Sequence, residues 1–297
     1  MEYFIAKNAS LREHNSLRIE SHGNIAYPFS ENGLAELFRD LKGRKYNYVF
    51  LGNGSNILLT EDFYGDEYIF ISLKLMDGID IADGEIVAEA GCSLSKLSWF
   101  ALNNYAKGYS FLEDIPGTVG GAVVMNAGTY DDNIGNLVNK VRYFDVDKLC
   151  FETVECAPEM FGKRRFDLNS KSRIYTSVHL KYEVANDEGW YRSELNSLLE
   201  IKKKRYLKQP RNFPNAGSVF VRPQPIDGKQ YYVWQLLDDC GLRGFSVGDA
   251  AVSEQHPGFI VNTGRAKPAD FLNLLCECKK RVQEKFGITL ELEWKTI

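Results

Sequence analysis

The first residues able to do chemistry are Gly52-Asn53-Gly54-Ser55-Asn56, which follow the apolar run YNYVFL at 46–51. Glycines after a strand let backbone N–H groups come close to an anion, and the Ser55 hydroxyl adds a donor. Taken alone, the run also reads as an ordinary turn. It is not the dinucleotide fingerprint of a βαβ unit, because the third glycine and the later acidic residue are missing. Nor is it a Walker loop, since no Gly-Lys-Ser/Thr follows. A denser signal comes at 115–128, where Ile115-Pro116-Gly117-Thr118-Val119-Gly120-Gly121-Ala122 leads to Met125-Asn126-Ala127-Gly128. Three glycines among small neighbours make a poor strand and a poor helix. Backbone so bare suits close passage against a pyrophosphate, and Asn126 offers both donor and acceptor to the edge of a ring. An irregular structural loop remains the alternative that composition leaves open.

These loops need elements to position them. Runs at 46–51, 68–73 and 85–90 read as strands. Ser93 opens a helix with Leu94, Leu97, Phe100 and Ala101 on one face, and Gly108 stops it. Stretches 138–146 and 174–184 alternate apolar and polar residues as half-buried strands do. The sequence turns polar at 185–189, and helix 191–206 follows. Then come a strand at 218–221, a turn at Asp227-Gly228, a helix at 268–286 and a last strand at 289–296. Strands mixed with helices throughout give an α+β class. The boundary divides the chain into domains 1–187 and 188–297, the first with an internal break near 65–75.

Bulk properties narrow the function. A formal net charge of -4 over 297 residues, with Lys202-Lys203-Lys204-Arg205 as the one dense basic run, argues against a nucleic-acid partner. No apolar run approaches bilayer length, so no membrane insertion is expected. Residues 1–15 lack a basic stretch followed by an apolar one, so no secretory signal is expected. The six cysteines lack framework spacing and read as reduced thiols of a cytoplasmic protein. The four histidines do not pair with them at ligand spacing, so no metal is expected.

LGNGSNIL at 51–58 and IPGTVGGAVVMNAGTY at 115–130 together resemble the FAD-binding motifs of the UDP-N-acetylenolpyruvoylglucosamine reductase (MurB) family. Five further stretches follow the family order. They are Pro214-Asn215-Ala216-Gly217-Ser218-Val219-Phe220, LLDDCGLRG at 236–244, Val252-Ser253-Glu254-Gln255-His256, Phe259-Ile260-Val261-Asn262 and the closing FGITLELE at 286–293. The resemblance runs from about Asn15 to the C-terminus. It implies a two-subdomain FAD-binding domain of the vanillyl-alcohol-oxidase (PCMH) type, followed by a MurB-like C-terminal substrate domain. It also implies non-covalent FAD, NADPH as hydride donor and a small nucleotide-sugar substrate. The reaction it implies is hydride delivery to C3 of an enolpyruvyl ether on UDP-N-acetylglucosamine, with a proton added at C2, in peptidoglycan precursor synthesis. A monomer is the expected state.

Residue by residue, the resemblance makes Ser218 the proton donor and Glu293 its assistant. Arg164 falls at the family's substrate-orienting arginine, whose fork suits a carboxylate. Gly52, Asn53, Gly54, Ser55, Asn56, Pro116, Gly117, Thr118, Gly120, Gly121, Asn126, Gly128 and Arg205 fall at the cofactor, and Lys208 and Arg222 at the substrate. The chain departs from the family at Lys163-Arg164-Arg165-Phe166, where Tyr-Arg-x-Ser is usual. The departure leaves open whether Arg164 or Arg165 is the substrate arginine. It also leaves open a related enzyme acting on another unsaturated sugar ether, or a flavin-binding paralogue without activity. Tyr231 and Tyr232 form either a lid over the nucleotide or a packed loop.

Overall fold

The computed structural model describes residues 2–129, 132–185, 187–226 and 228–297. Met1 of the N-terminal stretch, Tyr130 at the end of the second glycine motif, Asn186 in the expected boundary and Asp227 of the expected turn lie outside the described residues. The chain forms two compact units: Met1–Lys7, Asn24–Asn53 and Glu67–Arg205 make the first, and Asn8–Gly23, Gly54–Asp66 and Tyr206–Ile297 the second. The units interleave along the chain, whereas the sequence reading divides it once, at 187/188. Segments 8–23 and 54–66 join the C-terminal unit through contacts far apart in sequence, which no local composition shift announces.

The first unit carries most of one sheet and the whole of another. In the four-stranded one, Tyr3–Ser10, His22–Pro28, Tyr68–Ser72 and Asn47–Leu51 lie side by side in that order. The pairs 24–26 with 69–71 and 47–51 with 68–72 are parallel. Tyr68–Ser72 is apolar nearly throughout, and its last four residues are buried, as in a parallel strand covered on both faces. Helix α1 (Glu31–Asp40) starts where the Ser30 side chain accepts from the Gly33 N–H, and it buries Leu34, Leu37 and Phe38.

The second sheet has five antiparallel strands, ordered Cys150–Glu155, Val138–Asp145, Arg173–Lys181, Glu85–Glu89, Ile79–Ala82. Helices α2 (Leu94–Asn103) and α3 (Val119–Met125) cover it, bringing Leu94, Leu97, Ala101, Val119 and Val123 against Val141, Val178 and Leu180. Glu31 at the start of α1 takes a forked ion pair from Arg142 of this sheet, at 2.8 and 3.0 Å. Helix α4 (Glu188–Lys208) follows; of its side chains only Leu198 and Arg205 are buried.

The glycine-dense stretch is thus a helix at its centre, contrary to its composition. Thr118 caps α3 by accepting from the Gly121 N–H. Gly120 sits where a Cβ would stand 2.8 Å from the Ala90 Cβ, so bareness here serves close packing and overrides helix propensity.

In the second unit Asn215–Ser218, Phe259–Asn262, Ala250–Val252 and Ser246–Val247 form an antiparallel sheet in that order. Helix α5 (Val233–Asp239) precedes it in part, and helix α6 (Pro268–Phe286) buries Phe271, Leu274, Leu275, Cys278 and Val282. Lys295–Thr296 pairs in parallel with Ile57–Leu58. The expected strand at 218–221 forms earlier, at Asn215–Ser218, and the expected strand at 289–296 shortens to Lys295–Thr296. Among the described residues no helix is long and apolar enough to cross a membrane, and no His/Cys/Asp/Glu cluster forms a metal site.

Candidate functional site

In the first unit a cleft of about 300 Å³ opens where the two glycine motifs meet. Asn53, Pro116, Gly117 and Thr118 line it, as expected of cofactor residues, and Lys74, Asp77, Ser93 and Ser95 join them. The sequence reading missed these four. The motif approach is close: a Cβ on Gly52 would fall 2.5 Å from the Thr118 Oγ1, and the Asn53 side chain donates to the Pro116 carbonyl at 3.4 Å. Lys74 brings a cation to the cleft. Asp77 is already engaged by Lys96, at 3.0 Å.

Several expected phosphate donors are turned inward. The N–H of Gly117 donates to the Ile115 carbonyl and that of Gly120 to the Ala90 carbonyl, at 2.8 and 2.9 Å. The N–H of Gly121 donates to the Thr118 Oγ1 at 3.4 Å. What the motif supplies is therefore a tightly folded wall, whose glycines allow the approach without each presenting an N–H. Of the two helical glycines only Gly121 is exposed, and a Cβ added there would meet nothing but the Thr118 hydroxyl.

This separates two predictions. Gly120→Val is expected to overpack α3 against Ala90 and lower the unfolding midpoint, by about 1–3 kcal/mol of stability. Gly121→Val is expected to leave the midpoint near wild type while lowering flavin content, read as the ratio of flavin to protein absorbance. Full flavin content in Gly121→Val would remove that residue from the cofactor site.

Asn126 caps α3 in the left-handed region, with φ 43°, and is buried. Its Nδ2 donates to the Gly162 carbonyl at 2.9 Å, and its Oδ1 accepts from the Gly135 N–H at 3.1 Å. Both ends of the amide are engaged within the protein, which differs from the expected contact with a ring edge. The same bond anchors the hairpin Phe161–Gly162/Arg165–Phe166, whose rings Phe161 and Phe166 stack at 4.3 Å. Lys163 and Arg164 form its exposed tip, and Arg164 has φ 56°. Arg165 bonds to Asp167 at 3.1 Å. Gly128 lies in a hairpin pressed against the Asp132 carbonyl, where a side chain would collide.

Arg205 is buried on α4 and its Nη1 donates to the Asp114 carbonyl at 3.4 Å, directly before the cleft loop. Cys92, beside Gly91 and Ser93, is fully buried, and burial pushes its thiol up to about 11. It stays protonated at neutral pH and makes a poor nucleophile for attaching a flavin.

The second unit holds the remaining candidates. Gly54, Ser55 and Asn56 belong to it; Gly54 has φ 63° and lies against the His14 carbonyl. Gly217, with φ 76°, turns the chain before Ser218, and its N–H donates to the Asn215 side chain at 3.2 Å. Ser218 is exposed. The next residue, Val219, accepts from the Glu293 N–H at 3.0 Å, and Phe220 pairs with Leu292. Asn56 closes the group, its Nδ2 donating to the Glu293 carbonyl at 3.2 Å. Ser218 and Glu293, far apart in sequence, are thereby placed on adjoining segments. Arg222 lies over the Tyr232 ring at 5.1 Å and Lys229 over Tyr231 at 5.0 Å, while Lys208 ends α4 exposed. Arg164 and the cleft residues belong to the first unit, Ser218 and Glu293 to the second.

The family pattern of an FAD binding domain matches residues 24–147, and that of the UDP-N-acetylenolpyruvoylglucosamine reductase C-terminal domain matches residues 209–297. A UDP-N-acetylenolpyruvoylglucosamine reductase of Caldanaerobacter subterraneus subsp. tengcongensis is 36% identical over 293 residues, covering 98% of this chain and 92% of that protein. Its counterpart in Clostridioides difficile is 34% identical over 290 residues, covering 97% and 91%. The crystal structure of UDP-N-acetylenolpyruvylglucosamine reductase (MurB) from Thermus caldophilus superposes with a TM-score of 0.78 at 28% identity, covering 100% of this chain and 99% of that one. With its α+β architecture and two-subdomain flavin domain, the chain belongs to the UDP-N-acetylenolpyruvoylglucosamine reductase family and is an FAD-dependent oxidoreductase.

Proposed function

We propose that the protein reduces UDP-N-acetylglucosamine enolpyruvate to UDP-N-acetylmuramate, with NADPH as hydride donor, in peptidoglycan precursor synthesis. The observation that carries this reading is the hydrogen-bonded placement of the Ser218 and Glu293 segments. Bound FAD supplies the hydride chemistry that no amino-acid side chain provides.

The cleft suits the cofactor by its donor set. Hydroxyls of Ser93, Ser95 and Thr118, the Asn53 amide and the Lys74 cation line one narrow space, as a pyrophosphate requires. Burial of Cys92 supports a flavin held without a covalent bond.

The chain's own residues then divide the work. Ser218 gives a proton to C2 as hydride reaches C3, so charge does not accumulate on the carboxylate end. A serine hydroxyl is a weak acid, and Glu293 on the adjoining segment assists it by relaying the proton or polarising that end. Arg164 at the hairpin tip holds the substrate carboxylate, and Arg222 with Lys208 meets the nucleotide diphosphate. On this reading residues 1–187 chiefly serve the flavin and 188–297 chiefly the substrate, with Arg164 and Arg205 as exceptions, and the protein works as a cytoplasmic monomer; its free cysteines support a reducing compartment.

Two steps test the reading. Purified protein is expected to be yellow, and acid or heat to release intact FAD identified by chromatography. Anaerobic NADPH is then expected to bleach the flavin, and the enolpyruvyl nucleotide sugar to restore its colour. Bleaching without recovery would point to another acceptor, and colourless protein that takes up no FAD would overturn the whole reading.

A further inference from the structure

Glu113 is fully buried at the end of the short turn Ser110–Leu112, two residues ahead of the cleft loop that begins at Ile115. Its Oε1 accepts from the Lys202 Nζ at 2.9 Å. Its Oε2 is buried without a hydrogen-bond partner among the described residues. A carboxylate removed from water and only half satisfied is destabilising, so its retention needs a reason other than fold stability.

The neighbouring residue supplies one. Asp114 has φ 63°, a conformation that side-chain-bearing residues rarely adopt. It is held from two sides. Its N–H donates to the Ser95 Oγ at 3.1 Å, and its carbonyl accepts from the Arg205 Nη1 at 3.4 Å. Ser95 stands in the first turn of α2 and also lines the cleft. Lys202 and Arg205 are three apart on α4 and so share one face of it. Beyond Asp114 the loop is fixed to α2 as well, the Leu94 N–H donating to the Gly117 carbonyl at 3.1 Å. The loop therefore runs between the start of α2 and two cations of α4, and Glu113 is the anion that one of those cations grips.

We propose that Glu113 is a positioning residue for FAD: paired with Lys202, it braces the loop at 115–118 from behind and fixes the shape in which that loop receives the cofactor. The proposal rests on the assignment of this loop to the flavin. A loop already held in its bound shape loses less freedom on binding, so the brace acts on affinity. The pair is asymmetric, with side-chain exposures of 53% for Lys202 and 1% for Glu113. Removing the lysine strands a buried charge, whereas removing the charge frees a lysine that water can solvate.

The test is the FAD dissociation constant of the full-length protein, read from the fluorescence of flavin released on dilution, beside the unfolding midpoint of the same samples. Lys202→Met is expected to weaken FAD binding by about tenfold or more, the scale of a charge-assisted hydrogen bond. Lys202→Arg, which keeps the cation, is expected to stay within about twofold of wild type. Adding Glu113→Gln to Lys202→Met is expected to recover the unfolding midpoint, because no stranded charge remains, while FAD binding stays weak, because the brace is still missing. A role confined to fold stability would lower the midpoint and leave the dissociation constant, measured well below it, unchanged. That outcome in Lys202→Met and in Glu113→Gln overturns the brace. If Lys202→Met does not fold, Glu113→Gln alone decides: weakened binding supports the brace, and wild-type affinity overturns it. Gly121→Val run in parallel separates the layers. Weakening there but not in the pair variants overturns the brace alone, and no weakening anywhere removes the loop from the flavin site and the brace with it.

Discussion

Replacing Ser218 by alanine is expected to leave bleaching of the flavin by NADPH nearly intact while slowing its recovery on addition of substrate. The serine is proposed to act only when the enolpyruvyl group takes up hydride and proton, so the first half-reaction does not call on it. Loss of a positioned proton donor costs about 10²–10⁴-fold in the step it serves. The local structure makes the substitution clean. Ser218 is exposed, and the turn before it is set by Gly217 in the left-handed region and by the Asn215 side chain, neither of which alanine disturbs. Stopped-flow absorbance of the two half-reactions, measured separately, decides the matter. Equal slowing of both would mean that Ser218 acts on the flavin or on the fold, and the proton-donor role would be withdrawn. Glu293→Gln is informative alongside it, because its backbone bonds to Val219 and Asn56 do not depend on the carboxylate.

Where local rules decide, the sequence was legible. The sequence predicts helix α6 at 268–286 and it forms there, because Pro268 suits the first helical position and Gly287 ends it with φ 67°. Ser93 reads as a helix start in the sequence, and its side chain caps α2. Tertiary packing decided the rest. Gly120 reads as a helix breaker until Ala90 is placed against it, and Asn126 reads as a ligand contact until Gly162 and Gly135 take both ends of its amide. Lys74, Ser95 and Glu113 carry no motif; only the fold around the cleft brings them to notice. The contact between the segments of Ser218 and Glu293 is equally silent in the sequence. Resemblance pointed to both residues, but their adjacency follows from backbone bonds between distant parts of the chain. The interleaving of the two units belongs to the same class of non-local facts.

The hairpin tip offers a test in which stability and function are expected to move in opposite directions. Arg164 holds φ 56°, a region in which glycine is at ease and a long side chain is strained. Such an outlier at a two-residue turn would ordinarily be replaced by glycine or asparagine, so its retention argues for a task performed by the guanidinium. Arg164→Gly is therefore expected to raise stability slightly, by up to about 1 kcal/mol, while lowering kcat/KM for the enolpyruvyl substrate. A charge-assisted contact to a carboxylate corresponds to about 10–100-fold in kcat/KM, with an increase in KM as the carboxylate loses its partner. Asn126→Ala approaches the same arginine from behind. It removes the bond to the Gly162 carbonyl and leaves Arg164 in place. Its expected signature is a loss of both stability and kcat/KM, since the buried Gly135 N–H is also left without its acceptor. Arg165→Ala is the control for register: its side chain is engaged by Asp167, and activity near wild type is expected. If Arg165→Ala falls as far as Arg164→Gly, the substrate arginine is Arg165 and the assignment shifts by one. If Arg164→Gly keeps full activity, the strain at the tip has no catalytic purpose and the carboxylate is held by another residue.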